Sequence, residues 1–384
     1  MRVTVHPGRL QGDVKAVPSK SYAHRMLIAA AQADRVTDIA FDPCGADVET
    51  TLDCLTALGA RVERREGGVR IAPIQPGSMP DEPVLDCGES GSTLRFLLPL
   101  ACCVEKPVRL TGRGRLPARP LSDLVEQLRA HGTHVEGDFL PLRVSGPLQG
   151  GVYALPGDVS SQYLTGLLLA LPRLPQDSRL ILTSPLQSKG YVDMTLEVLA
   201  QFGIRVEQRP DGYLIPGGQR WTGPGRMQVE GDWSGAAFWV VANVLGSRVN
   251  VQGLNASSLQ GDARVVSAAR HLSQGGTCTL DLSDIPDLMP ALAVAATQTP
   301  GTTHLTRLAR LRLKESDRLA AMAEGLTRLG GRIVQEEDAW TIEGNQRLTG
   351  GEVDAYGDHR IAMAAAVAAL AAESPVVIEG AECV

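Results

Sequence analysis

The sequence of 384 residues is poor in aromatic side chains, which make up only 4% of it, and it has no excess of positive charge. Its 37 Lys and Arg face 43 Asp and Glu, for a formal net charge of -6. A broad nucleic-acid surface requires a basic stripe, so this balance argues against a nucleic-acid partner. It does not exclude small anionic ligands, because a local group of Arg and Lys can outweigh a weak global field.

Long apolar runs are absent as well. The longest, residues 361–372, falls short of the ~20 residues that a membrane span needs. The N-terminus has no apolar segment of a secretory signal, and the seven cysteines form no C-x-x-C pair. His131 and His134 lack the nearby Cys or carboxylate cluster of a metal site. We therefore expect a cytoplasmic protein with reduced thiols, no metal, no cofactor and no membrane partner.

What the sequence does contain is a repeat. A segment with helical periodicity ends in a glycine and is followed by a β-branched strand start. Glycine is expected there because a helix often ends in the left-handed backbone region. The regular spacing of 73, 71, 72 and 55 residues favours internal duplication. The five marker glycines are Gly59, Gly132, Gly203, Gly275 and Gly330.

The segments between the markers predict an α/β fold. Residues 61–73 and 205–216 each hold two strand-like runs joined by a G-G or D-G turn, which indicates a hairpin. Each repeat therefore corresponds to a βαβαββ unit. After the strand in PVVIEGAECV the chain ends at Val384 without a sixth marker helix and hairpin, so the last unit looks incomplete.

Seven segments place basic, hydroxyl or glycine residues where an apolar helix starts. The free N–H groups and positive dipole end of such a helix bind anions, and a serine such as Ser21 can cap it. Taken singly, each segment also fits a capped helix with solvated charges. The residues are Lys20, Ser21 and Arg25 in KSYAHR, Gly91 and Arg95 in ESGSTLR, Arg119 in RLPARP, Ser160, Ser161 and Gln162 in DVSSQ, Ser188 and Tyr191 in SKGYVD, Lys314, Glu315 and Arg318 in KESDR, and Asp358, His359 and Arg360 in GDHR.

Taken together, the cations at these helix starts indicate an anionic ligand. The dipole disfavours a cation at a helix N-terminus by a few tenths to ~1 kcal/mol each, so seven of them cost stability unless an anion joins them. A further candidate is Asp287, in SDIPDLMP, which lies between Pro286 and an apolar helix. It fits two interpretations: a carboxylate stabilised by the dipole, or a general base beside those cations.

These segments, together with IPDLMP, resemble in order and over nearly the whole chain the motifs of the 3-phosphoshikimate 1-carboxyvinyltransferase family, the EPSP synthases. The resemblance implies two similar domains, each with three βαβαββ units around a pseudo-threefold axis, an inside-out α/β barrel. It implies one domain at 19–232, on the shikimate 3-phosphate side. Residues 1–18 plus 233–384 would form the other and complete the phosphoenolpyruvate site.

The resemblance also implies the activity: transfer of the enolpyruvyl group of phosphoenolpyruvate to the 5-hydroxyl of shikimate 3-phosphate, with release of phosphate. It implies a monomer without metal or cofactor that is inhibited by glyphosate, and catalytic roles for Asp287, Glu315, Lys20 and Lys314. Shikimate 3-phosphate would be bound by Lys20, Ser21, Arg25, Ser160, Ser161, Gln162, Ser188, Tyr191, Asp287 and Lys314. Phosphoenolpyruvate would be bound by Lys20, Gly91, Arg119, Gln162, Arg318 and Arg360.

The chain departs from the family pattern at four places. Arg310 and Glu89 stand where many members have Asn, and Ser92 replaces a common Thr. The family usually has a Lys near phosphoenolpyruvate on a segment that would lie beyond Cys383. We therefore expect that the sequence lacks a native C-terminal tail.

Two other functions remain open on the sequence. A related enolpyruvyl transferase acts on UDP-N-acetylglucosamine, but it carries a Cys in a catalytic loop, whereas Cys102 and Cys103 lie in an apolar run. The third possibility is a non-catalytic anion-binding protein of the same fold, which would bind both ligands without turnover.

Overall fold

The computed structural model describes residues 1–42, 45–75 and 77–384. Cys44, counted among the cysteines above, lies outside the described residues. The chain forms two compact units. The central unit is Pro18–Glu230, and the terminal unit joins Met1–Val17 to Gly231–Val384. The chain therefore passes between the units twice, at 17–18 and at 230–231.

The central unit contains three four-stranded sheets. In each sheet two neighbouring strands are parallel, and the second strand of an antiparallel hairpin pairs with one of them. The strand orders are β14-β3-β5-β4, β6-β7-β9-β8 and β10-β11-β13-β12. The elements are α1 (Lys20–Gln32), β3 (Thr37–Ala40), α2 (Gly45–Ala57), β4 (Arg61–Arg65), β5 (Gly68–Ala72), β6 (Val84–Asp86), α3 (Gly91–Ala101), β7 (Val108–Thr111), α4 (Ser122–Ala130), β8 (His134–Glu136), β9 (Leu142–Ser145), β10 (Val152–Leu155), α5 (Ser161–Ala170), β11 (Ser178–Leu182), α6 (Lys189–Gln201), β12 (Glu207–Arg209), β13 (Gly212–Ile215) and β14 (Arg226–Gln228).

The terminal unit is less regular. Only its sheet β16-β17-β19-β18 has the full plan, while β2 pairs with β15 and β1-β21-β20 forms a third sheet. The elements are β1 (Val3–Val5), β2 (Gln11–Lys15), α7 (Trp233–Val244), β15 (Arg248–Gln252), α8 (Val265–Ser273), β16 (Thr277–Asp281), α9 (Met289–Gln298), β17 (Thr302–Thr306), α10 (Arg318–Arg328), β18 (Ile333–Gln335), β19 (Ala339–Glu343), β20 (Gly351–Asp354), α11 (His359–Leu370) and β21 (Val376–Glu379).

The α/β fold with six βα units in two domains is confirmed, but the fourth marker differs from the sequence expectation. The strand after Gly275 is β16, which opens the next sheet instead of forming a hairpin. The missing hairpin explains why the spacing to Gly330 is 55 residues and not ~72 as elsewhere. All five marker glycines have a positive φ, between 73° and 95°, as the left-handed helix cap requires.

Three helices form the centre of each unit. In the central unit α1, α3 and α5 are buried along almost their whole length, and in the terminal unit α9 and α11 are buried to a similar extent and pack with α7. A helix that is apolar on all sides has to be buried. The sequence therefore puts these helices inside and the sheets around them. The segments KSYAHR, ESGSTLR, DVSSQ and GDHR lie at the starts of inner helices, whereas RLPARP, SKGYVD and KESDR lie at the starts of α4, α6 and α10. None of the described helices is long and apolar enough to cross a membrane.

Candidate active site

The inner helices of the central unit begin at serine caps. Ser19, Ser90 and Ser160 accept hydrogen bonds from backbone N–H groups in the first turns of α1, α3 and α5. The expectation that Ser21 caps α1 is wrong. Ser19 has the extended backbone of a cap, whereas Ser21 is already helical and its carbonyl accepts a 2.6 Å bond from Arg25 Nη1.

Arg25 lies inside the central unit with 2% of its surface exposed. Its Nε donates to Thr195 Oγ1 (2.8 Å), and its Nη2 donates to the Tyr191 carbonyl (2.9 Å) and to Thr165 Oγ1 (3.3 Å). These acceptors are neutral, and within the described part of the chain no carboxylate pairs with Arg25. Burial lowers the pKa of Arg25 to about 10, so the guanidinium stays charged at neutral pH. A buried cation without a counter-charge is costly and favours an incoming anion.

Two aromatic rings lie beside Arg25, and an unusual backbone conformation occurs at Ser188. Its guanidinium carbon lies 4.9 Å from the ring centroid of Phe96 and 6.0 Å from that of Tyr191, distances at which a cation is attracted to a ring face. Ser188 precedes α6 in the left-handed region, with φ 57°, which is uncommon for a residue other than glycine. Of the residues assigned to shikimate 3-phosphate, Arg25 therefore contacts two others, Ser21 and Tyr191, through their backbone carbonyls.

The start of α3 forms a second group in the central unit. Arg95 Nη1 donates to Gln162 Oε1 (3.0 Å), and Gln162 Nε2 donates to Ser92 Oγ (3.0 Å). A Cβ added to Gly91 would lie 2.6 Å from Arg119 Nη1 and 2.7 Å from Arg95 Nη1. Gly91 thus lets two guanidinium groups lie against its backbone, and an alanine methyl group there would displace the ends of both arginine side chains. The structure brings together Gly91, Arg119 and Gln162, three of the residues assigned to phosphoenolpyruvate.

A second glycine makes this arrangement possible. Gly166 lies one turn after Gln162 on α5, and a Cβ there would be 2.1 Å from the Arg95 carbonyl of α3. The two helices therefore touch through their backbones, which lets Arg95 and Gln162 meet.

Lys20, at the first position of α1, pairs with Asp47 of α2 at 2.8 Å, a partner that the sequence did not indicate.

In the terminal unit, Asp287 lies at the centre of three cations. Its Oδ1 accepts from Arg318 Nη1 (2.7 Å) and Lys314 Nζ (3.2 Å), and its Oδ2 accepts from Arg360 Nη2 (3.3 Å). Asp287 precedes α9, while Arg318 and Arg360 lie in the first turns of α10 and α11. Three helix starts that are far apart in sequence therefore contribute to one cluster.

Arg318 connects this cluster to two more carboxylates. It is 1% exposed, and it donates through Nε to Asp358 Oδ2 (2.7 Å) and through Nη2 to Glu315 Oε2 (2.6 Å). Asp358 caps α11 by accepting from the Arg360 N–H. In the terminal unit the cations at helix starts are therefore already paired with internal carboxylates, so their charges alone do not require an external anion there.

The cations also control the acidity of Asp287. Burial alone would raise the pKa of this carboxyl, but the positive charges of Arg360, Lys314 and Arg318 outweigh it and hold the pKa well below its usual range. Burial likewise acts to raise the pKa of Asp358, and Arg318 reverses that shift so that the pKa is lowered. Asp287 is therefore a weak base while its three cations remain in place.

Known proteins give a consistent picture. The family model of EPSP synthase (3-phosphoshikimate 1-carboxyvinyltransferase) matches residues 5–384. The 3-phosphoshikimate 1-carboxyvinyltransferase of Clostridium acetobutylicum is 39% identical over 401 residues, covering 100% of this chain and 94% of that protein. The one from Clostridium kluyveri is 38% identical over 399 residues, covering 100% and 93%.

The chain belongs to the EPSP synthase family. A solved EPSP synthase from Acinetobacter baumannii has the same fold, with a TM-score of 0.81 at 26% identity over 99% of this chain and 94% of that one. The resemblance inferred from the motifs is thereby confirmed, as is the interpretation that the chain is an enzyme. The relatives do not favour the alternative that acts on UDP-N-acetylglucosamine.

Three departures from the family pattern have structural partners, and one of them is Ser92, which accepts the bond from Gln162. Arg310 Nη2 donates to the Ser283 carbonyl (2.7 Å), which links the segment before Lys314 to the one before Asp287. Glu89 lies over the backbone of the loop that carries Arg119, since a Cβ at Gly114 would be 2.6 Å from its carboxyl carbon. Nothing in these contacts explains why Asn is replaced.

One group of the terminal unit, around Asp262, was not expected from the sequence. The segment GDWSG places Asp232 as the cap of α7 and Ser234 in its first turn, the same pattern as at the other inner helices. Ser234 Oγ donates to Asp262, which is 3% exposed. Burial and the nearby charge of Asp287 raise the pKa of Asp262 to about 6.

Among residues 1–42, 45–75 and 77–384, no cluster of three or more His, Cys, Asp or Glu is arranged to hold a metal.

Proposed function

We propose that the chain transfers the enolpyruvyl group of phosphoenolpyruvate to the 5-hydroxyl of shikimate 3-phosphate and releases phosphate. The observation that carries this proposal is the Asp287 cluster, in which one carboxylate is held by Lys314, Arg318 and Arg360. A general base surrounded by cations suits the deprotonation of a hydroxyl beside a substrate that carries phosphate and carboxylate groups. The names of the relatives support the same reaction.

We assign the shikimate 3-phosphate side to the central unit. Arg25, with its neutral acceptors and its position beside Tyr191, is the group that would receive the phosphate. Ser21, Ser160, Ser161, Gln162, Ser188 and Tyr191 would contribute further hydrogen bonds, and Lys20 would contact both substrates. Gly91, Arg119 and Gln162 of this unit would take phosphoenolpyruvate together with Arg318 and Arg360 of the terminal unit, where Asp287 and Lys314 would contact the 5-hydroxyl.

The first chemical step follows from the charge balance around Asp287. When the phosphate and carboxylate of phosphoenolpyruvate bind Arg318 and Arg360, the negative charge of the substrate offsets part of the positive charge that stabilises the Asp287 carboxylate. The pKa of Asp287 then rises, because a nearby positive charge is what lowers it. The substrate therefore turns a weak base into a stronger one at the moment when a proton has to be removed.

The proposed reaction is an addition followed by an elimination. The 5-hydroxyl oxygen bonds to C2 of phosphoenolpyruvate while Asp287, assisted by Lys314, takes the hydroxyl proton and C3 gains a proton to become a methyl group. C3 then loses a proton, the double bond forms again, and the C2–O bond to phosphate breaks. Glu315 and Lys20 are the groups that we assign to the C3 proton, and the phosphate leaves with the proton that balances the reaction. These charged groups supply the electrostatic stabilisation without a metal.

Turnover assays test the proposal directly. We expect phosphate release from phosphoenolpyruvate only when shikimate 3-phosphate is present, measured with folded protein. Phosphoenolpyruvate hydrolysis without the second substrate, or turnover with UDP-N-acetylglucosamine instead, would contradict it. Binding of both ligands without any turnover would also contradict it.

Glyphosate gives a second test of the same site. We expect inhibition that competes with phosphoenolpyruvate, because the compact space beside Gly91, Arg119 and Arg95 is bounded by cations that attract an anionic ligand. Inhibition that phosphoenolpyruvate does not relieve would argue against this assignment.

We also propose that the enzyme acts as a cytoplasmic monomer. Size-exclusion chromatography with light scattering would test the oligomeric state.

A further inference from the structure

The carbonyl of Pro120 accepts two hydrogen bonds from side chains of different helices. Tyr163 Oη of α5 donates to it at 2.6 Å, and Arg95 Nη2 of α3 donates to it at 3.0 Å. Pro120 directly follows Arg119 and lies between the short helical segment Leu116–Ala118 and α4. The backbone on one side of Arg119 is thus held by two inner helices.

Tyr163 is well suited to a fixed donor. It is completely buried, and its neighbour in sequence is Gln162, which bonds to Arg95. Burial raises the pKa of Tyr163, so the hydroxyl stays protonated. The guanidinium carbon of Arg95 lies 5.8 Å from the centroid of the tyrosine ring. Ring and hydroxyl therefore act on the same pair of groups, Arg95 and the Pro120 carbonyl.

The position of Arg119 depends on this backbone. Its Nη1 lies where a Cβ of Gly91 would be only 2.6 Å away, so a small displacement of the loop moves the guanidinium off the start of α3. A shift of ~1 Å in a positioning group can cost a large factor in binding or rate. The loop itself, residues 112–120, is glycine- and arginine-rich and has one 3-10 turn of its own.

We propose that Tyr163 is a positioning residue for phosphoenolpyruvate: through the Pro120 carbonyl, its hydroxyl fixes Arg119 against the Gly91 backbone. This inference rests on the proposed function for the identity of the ligand. Arg95 is the second holder of the same carbonyl. The hydroxyl of Tyr163 contributes orientation and does not contact either substrate.

Removal of the hydroxyl alone tests the proposal. In Tyr163→Phe the ring still packs against Arg95, while the hydroxyl's bonds to the Pro120 carbonyl and to Arg95 are lost. We expect the KM for phosphoenolpyruvate to rise about 3- to 10-fold, the effect of one net hydrogen bond. The kcat and the KM for shikimate 3-phosphate should change less, within about 2-fold, because, of the groups assigned to shikimate 3-phosphate, it is Gln162 that is linked to Pro120, through Arg95, while Arg25 and Ser21 are held by other contacts.

The matched control is Tyr153→Phe. Tyr153 lies in β10 of the same unit, is also completely buried, and its hydroxyl also donates to a backbone carbonyl, that of Gln149. A merely structural effect of losing a buried hydroxyl would appear equally in both variants and would overturn the proposal. An unchanged KM for phosphoenolpyruvate in Tyr163→Phe would overturn it as well.

Amide hydrogen exchange separates this inference from the proposed function. We expect the amides of residues 112–121 to exchange several-fold faster in Tyr163→Phe than in the wild type, and not in Tyr153→Phe. If the wild type shows no enolpyruvyl transfer, the proposed function fails, and the exchange data still decide whether Tyr163 holds the loop. Equal exchange in all three proteins would overturn the positioning role whatever the turnover shows.

Discussion

The two units hold their buried arginines in different ways. In the central unit Arg25 is surrounded by hydroxyl and carbonyl oxygens, and Arg95 bonds to an amide and a carbonyl. In the terminal unit Arg318 and Arg360 bond to carboxylates, chiefly those of Asp287 and Asp358. An incoming anion meets an unmatched buried charge at Arg25, but in the terminal unit it has to compete with internal carboxylates.

Because of this difference, we assign substrate binding and base activation to different units. A site with an unmatched cation gains the full charge interaction on binding, which suits tight capture of a phosphate. A site whose cations already have partners gains less, but binding there changes the partners that remain. The competition is useful for catalysis because the displaced carboxylate is the proposed base. Binding strength and base activation are thus assigned to different units.

The largest effect is expected for Asp287→Asn. The variant loses the base, so kcat should fall by about 100- to 10,000-fold. It also loses the competitor for Arg318 and Arg360, so the KM for phosphoenolpyruvate should stay equal or fall. Steady-state kinetics with both substrates measure the two values. The control is Asp284→Asn in the same loop, where the carboxylate pairs with Arg264 and is outside the cluster. A higher KM with unchanged kcat would contradict the proposed competition.

The next effect concerns the unmatched cation. Arg25→Met keeps most of the buried volume but removes the charge, and we expect the KM for shikimate 3-phosphate to rise about 10- to 100-fold, the range for hydrogen bonds to a charged group. The KM for phosphoenolpyruvate should change much less. Arg173→Met, at an exposed arginine of the same unit, is the control. Equal sensitivity of both substrates would remove the distinction between the units.

A smaller effect is expected at Gly91. In Gly91→Ala the new methyl group meets Arg119 and Arg95 at less than 3 Å. Their side chains have to leave favourable rotamers at a cost of ~1 kcal/mol, so the KM for phosphoenolpyruvate and the inhibition constant of glyphosate should rise about 3- to 10-fold. Gly325→Ala serves as a control, because it is also a helical glycine, with only Val353 Cγ1 nearby at 3.1 Å. Inhibition that stays unchanged would show that the arginines can move aside freely.

The sequence revealed the repeat because a helix cap has a local chemical requirement. Gly59 and the other marker glycines need a left-handed backbone, and that need is visible in one residue. The motif residues were visible for the same reason, since a helix start is local. What the sequence could not show were pairs such as Lys20 with Asp47, or Arg318 with Asp358, because these depend on which helix starts meet after folding.

The same limit explains the wrong inferences. Ser19 and Ser21 are both compatible with a cap, and Ser19 takes that position because the helix begins at Lys20. The hairpin expected after Gly275 is absent because β16 pairs with β17, a long-range choice. Asp262 was overlooked since a lone aspartate in a loop has no local signature. Its importance comes from burial next to Asp287 and Arg360.

The smallest expected effect concerns the pH dependence of stability, in which a buried histidine of the central unit differs from a buried aspartate of the terminal unit. His24, in the central unit, has its pKa lowered to about 3 by burial, whereas Asp262, in the terminal unit, has its pKa raised to about 6. A lowered His pKa costs stability as the pH falls below its ordinary value of 6.5. A raised Asp pKa contributes stability below 3.8, and this is lost as the pH rises through about 6.

Asp262→Asn should therefore raise the free energy of unfolding at pH 8 by about 1 kcal/mol and leave it unchanged near pH 4, because only the ionised carboxyl is costly to bury. Chemical denaturation at both pH values measures this difference, with Asp284→Asn as the control for a partly exposed carboxylate. The gain is kept small because the amide bonds less strongly than a carboxylate to Ser234. An equal change in the free energy of unfolding at both pH values would mean that packing, and not charge, accounts for the effect of Asp262. The ionised Asp262 carboxylate would then be as well compensated as the arginines of the terminal unit.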